Sequence, residues 1–143
     1  TFSKGVELPY RTMGINIKYK NGYYGDGILS RFPIEYSTNY LMPLIDPKNE
    51  QRGILCNKIS FGTTKLNLFS VHFPTNFEER KLATEELINI LEKIDESEII
   101  LVGGDFNNGV EKVETININP GYEDNKLINK MNEINKKRKS RKT

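Results

Sequence analysis

A chain of 143 residues, 36% hydrophobic and 28% charged, has the size and balance of one globular domain, which excludes a multidomain assembly and a chain disordered throughout. No apolar run approaches the roughly 18 residues needed to cross a bilayer. The single cysteine, Cys56, leaves packing rather than an internal disulfide to hold the fold, which fits a cytoplasmic home. The net charge of +2 conceals a division: the last eight residues carry six Lys or Arg and no acid, leaving the rest of the chain at −4.

In chain order, residues 13–19 (MGINIKY) alternate apolar and polar, the period of a half-buried strand. Asn21-Gly22 supplies a turn tolerant of positive φ. Residues 27–34 read as a short buried strand broken at Pro33, and a polar connection punctuated by Pro43 and Pro47 is expected to run as loop to Glu50. Residues 52–61 and 65–73 predict an antiparallel hairpin closed at Gly62-Thr63-Thr64. After Pro74 the period changes: Asn76 and Glu79 have the spacing of a capping box, and Ala83, Leu87, Leu91 and Ile94 mark one face of a helix over 77–94. Residues 98–103 (EIILVG) predict a fully buried strand running into Gly104-Asp105. Beyond Asn108 the signal thins, with a turn at Asn119-Pro120-Gly121 and a narrow stripe of Leu127, Met131 and Ile134 before the basic end.

Four places carry chemistry-bearing residues. Gly104-Asp105-Phe106-Asn107 follows the strand over 98–103; in extended backbone Asp105 and Asn107 share a side while Phe106 turns to the core, so a carboxylate able to orient water sits beside an amide able to bond a phosphate oxygen. A plain turn explains the same residues equally well. His72, the only histidine, ends the second hairpin strand; a structural role competes with a catalytic one, and one His with one Cys cannot furnish the usual zinc sets. Arg52, in Glu50-Gln51-Arg52-Gly53, offers a guanidinium suited to phosphate or to a surface ion pair. Gly25-Asp26-Gly27 lacks the lysine and spacing of a phosphate-binding loop and is compatible with a simple turn.

Taken in order, GDGILSRFPI, EQRG, a strand ending VHF, ERKLATEELINIL and IILVGGDFN resemble the endonuclease/exonuclease/phosphatase family of metal-dependent phosphoesterases over residues 14–108. The resemblance implies an α/β (α+β) fold, a four-layer α/β sandwich with two facing sheets flanked by helices, here incomplete: a partial domain over 1–125 and a helical or disordered Lys-rich tail over 126–143. It implies that Asp105 orients or activates the attacking water, that Asn107 and His72 contact the scissile phosphate, and that Arg52 binds phosphate nearby. Asp26 stands where the family usually has Asn, adding negative charge beside a phosphate site. Mg²⁺ or Mn²⁺ would serve as cofactor, with Asp105 and Glu50 as possible metal ligands.

The family's metal-binding Gln-Glu near the start and its Ser-Asp-His strand near the end have no counterparts here, so divalent-metal phosphoester hydrolysis is expected to be weak or absent in this chain alone. The substrate would be a phosphoester of nucleic acid, a phospholipid head group or a small molecule. The competing expectations are a non-catalytic remnant, or a binder of polyanions through the basic tail of Lys136, Lys137, Arg138, Lys139, Arg141 and Lys142, which could also act as a nuclear signal in a eukaryote. A frayed, solvated terminus explains the tail as simply.

Overall fold

The computed structural model describes residues 5, 7–107, 129, 130, 132–134, 136 and 137. Readings that fall on 108–128 and 138–143, the turn at Asn119-Pro120-Gly121 and most of the basic tail among them, lie outside the described residues.

Among the described residues, six strands and one long helix make up the body: β1 (Tyr10–Tyr19), β2 (Gly22–Ser30), β3 (Ile34–Leu41), β4 (Gly53–Phe61), β5 (Thr64–His72), α1 (Phe77–Glu92) and β6 (Ile99–Asp105). β1 and β2 form an antiparallel ribbon, and the other strands form one sheet in the order β3-β4-β5-β6, antiparallel except for the last pair. The β4–β5 hairpin follows the sequence reading closely, with Gly62 at φ 61 in its turn. Parallel pairing of β6 with β5 requires a crossover, and α1 provides it.

Alternation along paired strands assigns the two faces of the four-stranded sheet. Tyr40, Ile54, Val71 and Cys56, Phe69, Val102 lie in register across one face, and these residues pack with Phe73, Ala83, Leu87, Ile90 and Leu91 into the core under α1. The opposite face carries Asn39, Leu55, Asn57, Leu68, His72 and Asp105, and the ribbon lies over part of it. Asn57 is fully buried between the sheets and donates to Thr12 Oγ1 of β1 at 2.6 Å. Helix, sheet and ribbon are thus three layers of the expected sandwich.

Several expectations are corrected by this arrangement. The stretch after Ile34 is not loop throughout but β3, whose alternating Tyr36, Thr38 and Tyr40 are strand formers; the reading missed it because the strand is an edge with exposed Glu35, Tyr36 and Ser37. In the ribbon the even-numbered residues Thr12, Gly14, Asp26 and Ile28 are the paired inward set, while Met13 and Ile15 are 52% and 47% exposed, the reverse of what apolar alternation suggests. Gly25-Asp26-Gly27 lies inside β2 rather than in a turn before it, and the tight connection takes Lys20 into positive φ at 52°, with Gly22 already in strand. β6 is an edge, not fully buried: Ile100 and Val102 turn to the core, but Ile99 and Leu101 are 49% and 55% exposed.

Helix α1 stops at Glu92, with Ile94 following in the turn after it and packing at the margin of the core. Asn76 caps it by accepting from Glu79 N at 3.1 Å, but only half of the capping box forms. The Glu79 carboxylate instead accepts from Ile45 N, Asp46 N and the Asn49 amide, and so pins the loop between β3 and β4. The described residues from 129 to 137 are helical, and Ile134 packs against the core. No described helix is long and apolar enough to cross a membrane.

Candidate active site

The chemistry-bearing residues gather at one end of the four-stranded sheet, where β4 begins and β5 and β6 end. His72 and Asp105 are register partners and the last residues of their strands. Phe73 N donates to Asp105 O at 2.8 Å, extending the pairing just past the two side chains, and the rings of Phe73 and Phe106 stack obliquely at 5.1 Å to anchor the outgoing chain. Phe106 turns to the core as expected. Parallel pairing is what brings a histidine and a carboxylate 33 residues apart to the same edge: His72 Nε2 is 3.8 Å from Asp105 Oδ2.

Gly104 makes this possible. It sits at φ 145, and a Cβ there would collide with the backbone of Val71 on β5, so only glycine lets β6 close on β5 one residue before Asp105. Asn107 leaves the extended conformation, at φ 50. Its backbone N–H donates to Asp105 Oδ1 at 2.8 Å, and its side-chain Nδ2 donates to Phe73 O at 2.6 Å. Asp105 and Asn107 therefore share a compact turn rather than projecting side by side from a strand; the turn chemistry of Gly, Asp and Asn and the placement of a carboxylate at the sheet end are both present.

Arg52, one residue before β4, reaches across His72. Its Nη1 lies 2.6 Å from Nδ1 and 2.7 Å from Nε2 of the ring, and 3.1 Å from Glu50 Oε1. The guanidinium is largely buried, with the Arg52 side chain 12% exposed against 42% for Glu50. Gln51 fixes the approach to the strand by donating to Met42 O and Arg52 O.

Asp26 comes to this end from the ribbon. Its half-buried carboxyl is pushed up in pKa by loss of solvent, opposed by a hydrogen bond from Asn16 and by the electrostatic influence of nearby His72 and Arg52. The structure thus brings together Asp26, Arg52, His72, Asp105 and Asn107, with Glu50 at the rim. Sequence reasoning missed Asn16 and Asn39, and read Glu79 only as a capping partner of Asn76 rather than as the anchor of the β3–β4 loop. Asparagine in a strand is unfavourable, and that was the available signal for the first two.

These residues do not fit a divalent cation. Among the described residues no three His, Cys, Asp or Glu side chains come together as a metal would require. Glu50 is turned to Arg52, and one oxygen of Asp105 is taken by Asn107 N. Asp26 accepts from Asn16, so each of the three carboxylates at this end is already engaged, too few free oxygens for a hard cation that takes about six oxygen ligands.

No family model matches the chain. Among curated proteins it is 31% identical over 101 residues to the uncharacterized protein YbhP of Escherichia coli K12, and equally to that of Shigella flexneri. The alignment takes in 69% of this chain and 39% of the relative, so the chain spans about two fifths of the length of the curated proteins it matches. Among solved structures, beta toxin from Staphylococcus aureus superposes with a TM-score of 0.65 at 18% identity, over 88% of this chain and 50% of that one. Humanized D. rerio TDP2 gives 0.60 at 20% identity, over 76% and 47%. An endonuclease/exonuclease/phosphatase family protein from Leptotrichia buccalis gives 0.54 at 17% identity, over 69% and 39%. The chain has the endonuclease/exonuclease/phosphatase fold, in part. Similar structures include a beta toxin variant with bound magnesium ions and a D. rerio TDP2 complexed with a single-strand DNA product.

Proposed function

We propose that the chain carries the phosphate-binding and water-orienting part of a phosphoester hydrolase site and that, by itself, it turns over slowly. The observation that supports this best is the convergence of Arg52, His72 and Asp105 at one end of three neighbouring strands. A mostly buried guanidinium whose carboxylate neighbour, Glu50, is exposed can exchange that contact for the oxygens of a phosphate, which it binds bidentately. His72 donates from a ring N–H to a second oxygen, and the remaining N–H of the Asn107 amide is available to a third.

Asp105, with its side chain 63% exposed, accepts a hydrogen bond from water and takes its proton as the water oxygen attacks phosphorus. A P–O bond forms to the water oxygen, the bond to the leaving alkoxide breaks in line with it, and the alkoxide takes its proton from solvent. That last step is the slow one. His72 is the sole histidine and is committed to phosphate, so no second imidazole protonates the leaving oxygen. The magnesium in the beta toxin variant supports a hard divalent cation in this chemistry; the described carboxylates do not assemble a site for one, and no step above draws on it. The single-strand DNA product in TDP2 and the name of Sphingomyelinase C from Streptomyces griseocarneus, also similar in fold, support a phosphodiester as the substrate class.

Because His72 is unique, its ring protons report the site by NMR. Inorganic phosphate is expected to shift them saturably in the unaltered chain and not in Arg52→Ala, whereas Asp105→Ala binds phosphate but loses the residual hydrolysis of a chromogenic phosphodiester. Ring signals indifferent to phosphate, or an Asp105→Ala variant that hydrolyses as fast as the unaltered chain, would sink the proposal.

A further inference from the structure

Between the ribbon and the four-stranded sheet lies an asparagine pair, Asn16 of β1 and Asn39 of β3, that the chemistry above does not use. β1 and β2 pair regularly up to Ile15, opposite Gly25, and again from Ile17, opposite Tyr24; Asn16 is the extra residue of a β-bulge between them. A bulge re-aims a side chain, and here it directs Asn16 toward the four-stranded sheet. Its Oδ1 accepts from Asn39 Nδ2 at 2.9 Å, and its Nδ2 donates to Asp26 Oδ2 at 3.3 Å. Asn39 spends its amide donor a second time on Ile15 O, at 3.1 Å, so it holds the bulge by backbone and side chain together.

The space for this pair is built. Gly14 leaves room for the Asn39 side chain, and a Cβ at Gly53 would strike Asn16 Oδ1 and lie 2.9 Å from Asn39 Oδ1. Gly53 directly follows Arg52. Asn39 Oδ1 is buried against these glycines with no hydrogen-bond partner among the described residues, an unfavourable feature that the surroundings tolerate to keep both donors in place.

Resting on the phosphoester reading, we propose that Asn39 is a positioning residue: through the bulged Asn16 it tethers the Asp26 carboxylate on the ribbon side and keeps it from pairing with the Arg52 guanidinium that binds phosphate. A carboxylate and a phosphate compete for one guanidinium, and Asp26 already lies within the electrostatic reach of Arg52 and His72. Removing the tether lets the carboxylate swing in and compete.

The test uses the whole chain, inorganic phosphate as probe and the His72 ring signals as readout. Asn39→Ala, or Asn39→Ser should the alanine variant fail to fold, is expected to bind phosphate roughly fivefold more weakly, as competition from one partly exposed carboxylate implies. Adding Asp26→Asn restores affinity to at least that of the unaltered chain. A merely structural loss would not be rescued by a second substitution across the ribbon, so failure of rescue, or unchanged affinity in the Asn39 variants, overturns the proposal. A second measurement needs no phosphate. The Asp26 carboxyl titration, followed by ¹³C NMR, is expected to be displaced equally in Asn16→Ala, in Asn39→Ala and in the double variant, because the two asparagines act in series. Additive displacements, or none from Asn39→Ala, overturn the tether. A chain that ignores phosphate yet shows the equal displacements refutes the phosphoester reading and leaves the tether standing.

Discussion

Glu79 offers the most stringent check on how the end of the sheet bearing Arg52, His72 and Asp105 is assembled. It lies in the first turn of α1 with only 1% of its surface exposed, and one carboxylate oxygen accepts from Ile45 N at 2.9 Å, Asn49 Nδ2 at 3.0 Å and Asp46 N at 3.2 Å. All three donors belong to the loop that delivers Glu50, Gln51 and Arg52 to β4. Hydrogen bonds to a charged group contribute about 1.5–3 kcal/mol each when formed singly; three on one oxygen share its charge, and burial of the carboxylate offsets part of the gain. Glu79→Ala, which leaves three donors without their acceptor, is therefore expected to cost about 3 kcal/mol. Glu79→Gln keeps an acceptor oxygen but loses the charge and brings in a buried amide N–H₂, and should cost about 1–2 kcal/mol. Urea unfolding measures both as a shift in midpoint at constant slope.

The same carboxylate supplies a pH signature. The hydrogen bond from Asn49 first, then those from Ile45 and Asp46, hold its pKa below the ordinary glutamate value of 4.5 against the opposing effect of burial. A group depressed on folding contributes stability that is fully present above its unfolded pKa and is lost as pH falls through its folded pKa. The gap between the unaltered chain and Glu79→Gln is thus expected to be flat at neutral pH and to shrink on acidification below 4.5. A gap under about 0.5 kcal/mol, the range of an unremarkable surface change, or one independent of pH would refute the account of the loop.

Three further outcomes follow from single contacts. Gly104→Ala forces a Cβ into the Val71 backbone at a φ that side chains avoid; it should cost at least about 2 kcal/mol in urea unfolding and collapse the amide shifts of His72 and Asp105 toward random-coil values. Cys56 is buried under α1, and burial raises its pKa to about 11, so at pH 8 roughly a thousandth is thiolate and an aromatic disulfide reagent should label it at the rate of unfolding; rapid labelling of the native chain would contradict that placement. Leu101→Ser, on the open face of β6 with the residue 55% exposed, should change stability by less than about 0.5 kcal/mol, whereas Val102→Ser, on the core side, should cost about 2 kcal/mol.

What was legible in the sequence depended on whether local pattern and tertiary environment agreed. The hairpin and α1 were readable because apolar residues at periods of two and of 3.6 are also the residues that meet in the core: Ile54, Cys56, Phe69 and Val71 on the sheet, Ala83, Leu87 and Leu91 on the helix. β3 and β6 were misjudged for opposite reasons. β3 is an edge strand with polar residues, so its tyrosines and Thr38 carried a weaker signal than the prolines that follow it. β6 has an unbroken apolar run, which normally signals burial on both faces, but the ribbon covers only part of the sheet and Ile99 and Leu101 are open. The ribbon itself departs from the usual rule, because the space between the sheets holds Thr12, Gly14, Asn16, Asn39 and Asn57 alongside the buried Ile28 and Leu55.

That departure explains why the site was only partly visible. Asp105, His72 and Arg52 announce themselves because they stand at strand ends, where apolar sequence gives way to a charged or ring-bearing residue with no packing reason to be there. Asn16 and Asn39 sit within strands, 23 residues apart, and each alone looks like a blemish in a β pattern. Their meaning depends on a bulge and on two glycines in β1 and β4, none of which composition or period reveals. Polar residues between two sheets give up hydrophobic stabilisation, and here Asn16 is bonded directly to Asp26. The core under α1 holds the helix to one face of the four-stranded sheet, while the ribbon meets the other face through buried Ile28 and Leu55 together with the asparagines, one of which holds Asp26.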